Sequence, residues 1–322
     1  MRAAIATRPG PPQVLTAGTL PDPELAPHQV RVAVETAATT FIDTQLRAGT
    51  GPRPLPAEAF PLVLGNGVGG VVTEVGAEVD PAWHGTRVIA ATGGRGGYAS
   101  QAVVAATELH PVPAALETAT AIALLADGRT ALALANAARI RPGETVAVTA
   151  AAGGVGSLLV QLARDAGASV VALAGGRRKL DHARALGAEI ALDYLAPDWP
   201  AQLDAVTGGL DVVFDGVGGA VSQPLAYRLR AGGRYLPHGM ASGSWGRADP
   251  DRLRVGGVQT IPLTALGTDA AAQYLLVETA LDLALAGTLR PTVGLSVPLA
   301  EAAEAHVAME ARTVLGKTLL VV

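Results

Sequence analysis

Cysteine is absent from this 322-residue chain. That absence removes disulfide cross-links, thiolate zinc sites and a cysteine nucleophile together. Aromatic residues are scarce as well, at 3%. Because 49% of the residues are hydrophobic, the core must be built mainly from Ala, Val and Leu. Charge of one sign is concentrated nowhere: 24 basic and 28 acidic residues give a formal charge of −4 without long runs. A protein that grips a phosphate backbone needs a basic stripe, so nucleic acid is not an expected partner. The N-terminal MRAAIATRPGPP lacks the apolar core of a secretory signal. The most apolar stretch, 114–139, is interrupted by Glu117, Asp127, Arg129 and Arg139, and it reads as buried helix rather than a membrane span. The expectation is a soluble cytoplasmic protein with no membrane partner.

What is present divides the chain by character. Residues 1–113 are rich in Pro and Gly, with short β-type runs at QVRVAVET (29–36), GGVVTEVG (69–76) and TRVIAA (86–91). From about residue 114, helical runs alternate with the apolar strands ETVAVTA (144–150), SVVALA (169–174), LDVVFD (210–215) and GRYLP (233–237). Helical segments lie at SLLVQLARDAG (157–167), RRKLDHARALG (177–187) and around 219–230. Such alternation predicts an α/β fold with a doubly wound parallel sheet. A long helix over 269–287, a helical stretch near 299–311 and a final strand KTLLVV complete the pattern.

The segment VAVTAAAGGVGSLLVQLAR (146–164) runs from a buried strand through Ala151-Ala152-Gly153-Gly154-Val155-Gly156 into an apolar-faced helix. This approximates G-x-G-x-x-G with Ala151 in place of the first glycine. Small residues let the backbone approach a pyrophosphate, and the helix that follows offers unpaired N–H groups and the positive end of its dipole. A tight strand–helix turn alone would need less. The strand before, the helix after and a second strand roughly 20 residues on favour a dinucleotide.

That second strand ends at Leu173-Ala174-Gly175-Gly176 and is followed by Arg177-Arg178-Lys179. An NAD site usually places an acid there to hold the ribose 2′-OH. Here the segment has none, and its cations suit a 2′-phosphate. Cations in the first turn of a helix also oppose the macrodipole, which an anion bound there would relieve. The sequence therefore points to NADPH.

Segments in the same order and spacing resemble the quinone oxidoreductase branch of the medium-chain dehydrogenase/reductase superfamily, the zinc-free, zeta-crystallin-like proteins. They include FIDTQLRAG (41–49), FPLVLGNGVGGVVTEVG (60–76), GGYASQAVV (96–104), GRTAL (128–132), RPGETVAVTAAAGGVG (141–156), DVVFDGVGG (211–219), LRAGGRYLPHG (229–239) and GKTLLVV (316–322). The resemblance implies a GroES-like, β-rich catalytic domain from residues 1–118 and 262–322, and a Rossmann NADPH-binding domain from 119–261. It assigns Ala152, Gly153, Gly154 and Val155 to the pyrophosphate. Gly175, Lys179 and Tyr194 fall around the adenosine 2′-phosphate, where the reading of the strand end adds Gly176 and Arg177, and Thr130, His238, Gly239, Met240 and Ala241 fall near the nicotinamide half. Relatives often pair through the Rossmann sheet, which implies a homodimer.

The zinc-dependent relatives carry their catalytic metal ligands at positions that align with Thr40, Asn66, Gly67 and Ala126, none of them a good zinc ligand. The six histidines (28, 84, 110, 182, 238, 306) have no ligand spacing either. No metal is expected. The sequence also departs from the quinone reductases: Thr40 replaces an Asn, Gly51 a pocket Tyr and Gly67 a Glu, which suggests a pocket widened by small residues. Thr40, the candidate catalytic residue, could donate a hydrogen bond to a substrate carbonyl; equally, it could only shape the pocket while Asp43 caps a turn. His238 could be structural. A short-chain dehydrogenase is excluded, because no tyrosine is followed four residues later by the lysine that would lower its pKa.

The expected function is NADPH-dependent hydride transfer, without metal, to a small-molecule quinone or α,β-unsaturated carbonyl. The alternatives are a biosynthetic enoyl reductase acting on a polyketide-like or carrier-bound enone, and a catalytically inactive NADPH-binding protein.

Overall fold

A computed structural model describes residues 1–50, 55–267 and 269–322. Gly51, where a pocket tyrosine is replaced, lies outside the described residues. The chain forms two compact units, Met1–Ala126 with Val277–Val322, and Asp127–Leu276.

The first unit opens with β1 (Arg2–Ala6), β2 (Leu15–Thr19), β3 (Gln29–Thr39) and helix α1 (Phe41–Ala48). It continues through β4 (Leu62–Val63), β5 (Gly67–Val75), β6 (Arg87–Ala91), β7 (Gln101–Ala105), β8 (Leu109–Pro111) and α2 (Thr118–Leu125). Alternation along β3 turns Val30, Val32 and Val34 inward. They meet a core of Ala, Val and Leu to which Tyr98 adds an aromatic ring.

Helix α2 belongs with this unit for a steric reason. A Cβ on Gly67 would stand 2.6 Å from Leu125 Cδ2, and one on Gly69 would stand 2.6 Å from Thr118 Cγ2. The glycines of β5 thus let the helix lie directly on the sheet. This finding corrects one expectation. The space at Gly67 is filled by Leu125 and Ile122, so Gly67 does not widen a pocket. Helix α2 falls within the first compact unit, which runs to Ala126, and the β-sheet holds it there.

The second unit contains α3 (Asp127–Ala138), β9 (Thr145–Thr149), α4 (Gly154–Asp165), β10 (Ser169–Ala174), α5 (Arg177–Ala185) and β11 (Ile190–Asp193). It goes on through α6 (Trp199–Val206), β12 (Leu210–Asp215), α7 (Gly219–Ala226), β13 (Leu229–Pro237), α8 (Pro250–Val255) and β14 (Gln259–Thr260). Its six strands pair in parallel in the order β11-β10-β9-β12-β13-β14. A parallel sheet covered on both faces needs strands that are apolar throughout, and β9 and β10 are buried from their second residue onward. In this strand order the chain reverses direction beside β9, and ligands bind at the carboxyl ends of the strands there.

Helix α9 (Ala270–Leu285) carries the boundary, and the chain closes the first unit with β15 (Val293–Pro298), α10 (Ala302–Glu310) and β16 (Lys317–Val321). The large sheet of that unit runs β15-β16-β3-β5-β6-β8, with β7 also paired to β3, while β2-β1-β4 form a smaller sheet. Among the described residues no single helix is long and apolar enough to cross a membrane.

Candidate functional site

In the second unit the loop between β9 and α4 is shaped by its own backbone. Ala150 takes a positive φ of 48°. Its carbonyl then accepts the Gly153 N–H at 2.8 Å, which turns the chain sharply into α4. The loop's small residues have separate jobs. A Cβ on Gly156 would lie 2.2 Å from the Ala150 carbonyl oxygen, so the helix could not approach the strand with any other residue there. A Cβ on Gly154 would lie 2.0 Å from Asp127 Oδ2, which brings the start of α3, and with it the helix bearing Thr130, against the start of α4. Gly153, at φ −84° and ψ 178°, has only the Ala150 oxygen within 4 Å of its would-be Cβ, at 3.2 Å. The internal side of the loop is therefore packed, and at Gly153 a would-be Cβ meets that one backbone oxygen alone. Gly154, Val155 and Gly156 form the first turn of α4, where N–H groups have no acceptor within the helix. An anion that approached past Gly153 would meet those donors and the helix dipole. Ala152 is buried in the same turn.

The end of β10 assembles the second group. Gly175 lies against Tyr194, whose Cε2 is 3.4 Å from a would-be Cβ, and Gly176 caps α5 at φ 84°. Arg177 and Lys179 follow in the first turn of α5. Arg177 is almost fully exposed and lies 3.6 Å from Asp181. One feature here was not apparent from the strand itself. Asp193, at the end of the neighbouring β11, is in register with Ala174. Its Oδ2 accepts from Gly176 N at 3.1 Å and its Oδ1 from Leu195 N at 2.9 Å. Strand β10 brings no acid to this place, but strand β11 does.

A buried carboxylate ties the third group to the first. Asp215, fully buried at the end of β12, accepts from Thr149 Oγ1 at 3.2 Å, Val217 N at 3.1 Å and Gly218 N at 3.0 Å through Oδ1. Through Oδ2 it accepts from Tyr235 OH at 2.7 Å and from Ser222 Oγ. It thereby fixes the end of β9, the turn after β12, α7 and β13 to one another. Its carbonyl takes His238 N at 2.8 Å and Gly239 N at 3.2 Å, and Gly216 O takes Ala241 N at 3.3 Å. The segment His238–Ala241, Met240 included, is thus laced to the turn after β12. His238 Nδ1 is 3.3 Å from the Leu236 carbonyl and must donate there, which leaves Nε2 as the acceptor beside Gly216. Burial lowers the pKa of this imidazole and favours its neutral form. Sequence reading passed over Asp215. Its signal was one charged residue closing an otherwise apolar strand, LDVVFD.

In the first unit, Thr40 precedes α1 and is half-buried. Its N–H and its hydroxyl both donate to Asp43 Oδ2, at 2.7 and 2.8 Å. Tyr98 OH donates to the same oxygen at 3.2 Å. Behind Tyr98 stands His306 Nε2 at 3.1 Å, and behind that Arg47, whose Nη1 is 3.4 Å from His306 Nδ1. Arg47 Nη2 donates to Glu310 at 2.6 Å. Burial, with Arg47 adding to it, pushes His306 down to about 3. Burial also pushes Asp43 up to about 6, against the pull of the Thr40 bonds. Asp43 therefore does cap the turn, and it also takes up the Thr40 hydroxyl. Thr40 lies at the start of α1, Asn66 and Gly67 at the start of β5, and Ala126 at the end of α2. Among the described residues no three His, Asp or Glu converge as metal ligands would.

Residues 26–114 match the alcohol dehydrogenase GroES-like domain model, and residues 154–259 match the zinc-binding dehydrogenase model. The chain is 33% identical over 306 residues to a 2-haloacrylate reductase of Burkholderia sp, covering 91% of each protein. The chain belongs to the medium-chain dehydrogenase/reductase superfamily, quinone oxidoreductase type. It is also 31% identical to the quinone oxidoreductase of Pseudomonas aeruginosa, covering 97% of this chain and 96% of that one. The quinone oxidoreductase of Thermus thermophilus, with structures that include its complex with NADPH, matches over 100% of both chains with a TM-score of 0.84 and 33% identity. The first unit of this family member is accordingly GroES-like and the second is a Rossmann domain.

Proposed function

We propose that the chain binds NADPH and directs its hydride, without a metal, to the electrophilic carbon of a quinone or an α,β-unsaturated carbonyl. The observation that carries this is the main-chain cradle. Apart from the Ala150 oxygen at 3.2 Å, the space at Gly153 holds no atom within 4 Å of a would-be Cβ, in a conformation other residues could adopt, whereas its neighbours Gly154 and Gly156 are forced by packing. That space has the donors a pyrophosphate needs, in the N–H groups of the first turn of α4. On this reading Ala152, Gly153, Gly154 and Val155 hold the pyrophosphate. Gly175, Gly176, Arg177, Lys179 and Tyr194 surround the 2′-phosphate, and Thr130 with His238, Gly239, Met240 and Ala241 supports the nicotinamide half.

When bound, the nicotinamide supplies the hydride, and the protein supplies position and electrostatics. Negative charge grows on the conjugated oxygen as the hydride arrives, and Thr40 is the hydroxyl we assign to meet it. The proton that completes the reduction comes from water. Thr40, Asn66, Gly67 and Ala126 would be poor zinc ligands, which supports chemistry without a Lewis acid.

The test is NADPH consumption against a panel of quinones and enones, with and without a strong chelator. Turnover that survives the chelator is expected. NADPH binding with no consumption by any acceptor would make the chain a nucleotide-binding protein without this activity.

A further inference from the structure

We propose that Asp43 decides whether Thr40 can donate a hydrogen bond to the substrate: as a carboxylate it takes up the Thr40 hydroxyl hydrogen, and as a neutral acid it donates to Thr40 Oγ1 and turns that hydrogen outward. The proposal rests on the reading of Thr40 as the group that meets the substrate oxygen. Asp43 acts through Thr40 and is a positioning residue.

The geometry determines where a proton on Asp43 must sit. Among the described residues, every hydrogen bond to this fully buried carboxyl falls on Oδ2: Thr40 N, Thr40 Oγ1 and Tyr98 OH. Oδ1 is buried and has no hydrogen-bond partner among the described residues. A proton on Oδ1 would forgo the 2.8 Å contact that Oδ2 already makes with Thr40 Oγ1. On Oδ2 it would point along the 2.8 Å line to Thr40 Oγ1, the one contact there whose partner can accept as well as donate without disturbing the rest.

Tyr98 cannot serve as that acceptor, because its own bonds run in one direction. Arg47 has only donors, so His306 Nδ1 accepts from it, and the imidazole hydrogen lies on Nε2. His306 Nε2–H then donates to the Tyr98 oxygen, and Tyr98 O–H is left to donate to Asp43. Thr40 Oγ1 is tied only within the capping box it forms with Asp43, among the described residues, so its hydroxyl hydrogen is the one that can turn.

The charged groups around Asp43 allow both states. Arg47 lies on the same helix, Tyr98 comes from the turn before β7, His306 from α10 and Lys317 from β16. Lys317 favours the carboxylate, as do the bonds from Thr40 and Tyr98, but burial outweighs them and brings the titration to about 6. His306 stays neutral throughout that range, so Asp43 is the group that changes state.

Two measurements test this. The first uses the protein without nucleotide: aspartate labelled with 13C at Cγ is titrated by NMR, and one resonance missing from Asp43→Asn should titrate near 6 rather than at the ordinary 3.8. The second is the pH profile of kcat and KM for enone reduction. Wild-type kcat should fall by up to about tenfold per pH unit above that midpoint, with KM little changed. Thr40→Ser, which keeps the hydroxyl, should show the same fall, whereas Thr40→Val and Asp43→Asn should be slow or flat without it. A resonance titrating at 3.8, or a Thr40→Val profile parallel to wild type, would overturn the proposal. If Asp43→Asn does not fold, the comparison of Thr40→Ser with Thr40→Val decides alone. Wild-type protein that turns over no acceptor would instead overturn the hydride-transfer reading, and the role of Thr40 with it.

Discussion

Each compact unit buries an aspartate beside a tyrosine hydroxyl, and the two carboxylates are treated differently. Asp215 receives five donors shared over both oxygens. Asp43 receives three, all on one oxygen, and its other oxygen has no partner among the described residues. Enough donors can replace the water that a buried carboxylate loses, and the group then acts as a fixed tie. Too few leave its charge uncompensated, and burial then favours the neutral acid. The Rossmann unit uses its aspartate to hold strand ends still, while the GroES-like unit retains one that can change state.

The largest expected difference is in stability. Asp215→Ala removes the acceptor of five buried donors at once and should cost about 3–5 kcal/mol in urea unfolding. Asp43→Asn removes an uncompensated charge and should cost less than about 1 kcal/mol. Equal costs would mean that the donor count is not what separates the two.

A smaller effect contrasts rigid and open positions within the phosphate loop. Gly156→Ala drives a Cβ into the Ala150 carbonyl and should destabilise the protein by about 1–3 kcal/mol before any ligand is added. Gly153→Val, at φ −84° with one backbone oxygen 3.2 Å from the new Cβ, should cost less stability than Gly156→Ala. It should still abolish the stabilisation gained with NADPH, which at a hundredfold excess over Kd is about 2.7 kcal/mol. An increment retained in Gly153→Val would put the nucleotide elsewhere.

The acid response can separate Asp43 from its neighbour His306. Asp43 rises from 3.8 to about 6 on folding, so its stabilising contribution is complete below 3.8 and is lost as pH rises through 6. His306 falls from 6.5 to about 3, so its contribution is complete above 6.5 and is lost as pH falls toward 3. Between about 4 and 6 the two oppose each other. Asp43→Asn should therefore lose stability on acidification more steeply than wild type, by up to about 1.4 kcal/mol per pH unit. Parallel curves would show that Asp43 does not titrate there.

The smallest effect concerns the nucleotide. NADPH should bind at least tenfold tighter than NADH, about 1.4 kcal/mol, and Gly175→Asp should reduce that preference. Asp193→Asn removes the carboxylate that β11 places beside Ala174 and should raise the preference a further few-fold in calorimetry. No change would show that Asp193 serves only the Gly176 and Leu195 N–H groups.

Local chemistry was legible in the sequence wherever a pattern had a single physical meaning. The apolar runs SVVALA and LDVVFD are strands β10 and β12 over the expected residues, because strands buried on both faces can hardly read otherwise. The phosphate loop was legible for the same reason: a strand, small residues and an apolar-faced helix in succession leave few alternatives. Helix α4 begins at Gly154 rather than near 157, since a glycine-rich first turn carries no side-chain periodicity to announce it. The short strands β11 and β14 were missed, having too few residues to show a pattern.

The sequence alone determined that the chain has no thiol chemistry, a core of small aliphatic residues, a parallel Rossmann sheet and a glycine loop fit for a pyrophosphate, because each follows from composition or from neighbours along the chain. Only the tertiary structure decided that Gly67 admits Leu125 rather than a substrate, that Asp193 stands beside Ala174, that Asp215 ties three strand ends, and that Asp43 is short of donors. Each of these depends on groups that pair across 17 to 66 positions of sequence, as in Gly176 with Asp193, Tyr98 with Asp43 and Thr149 with Asp215. Whether a buried polar group is satisfied is settled by which donors the fold brings to it, and no local pattern records that.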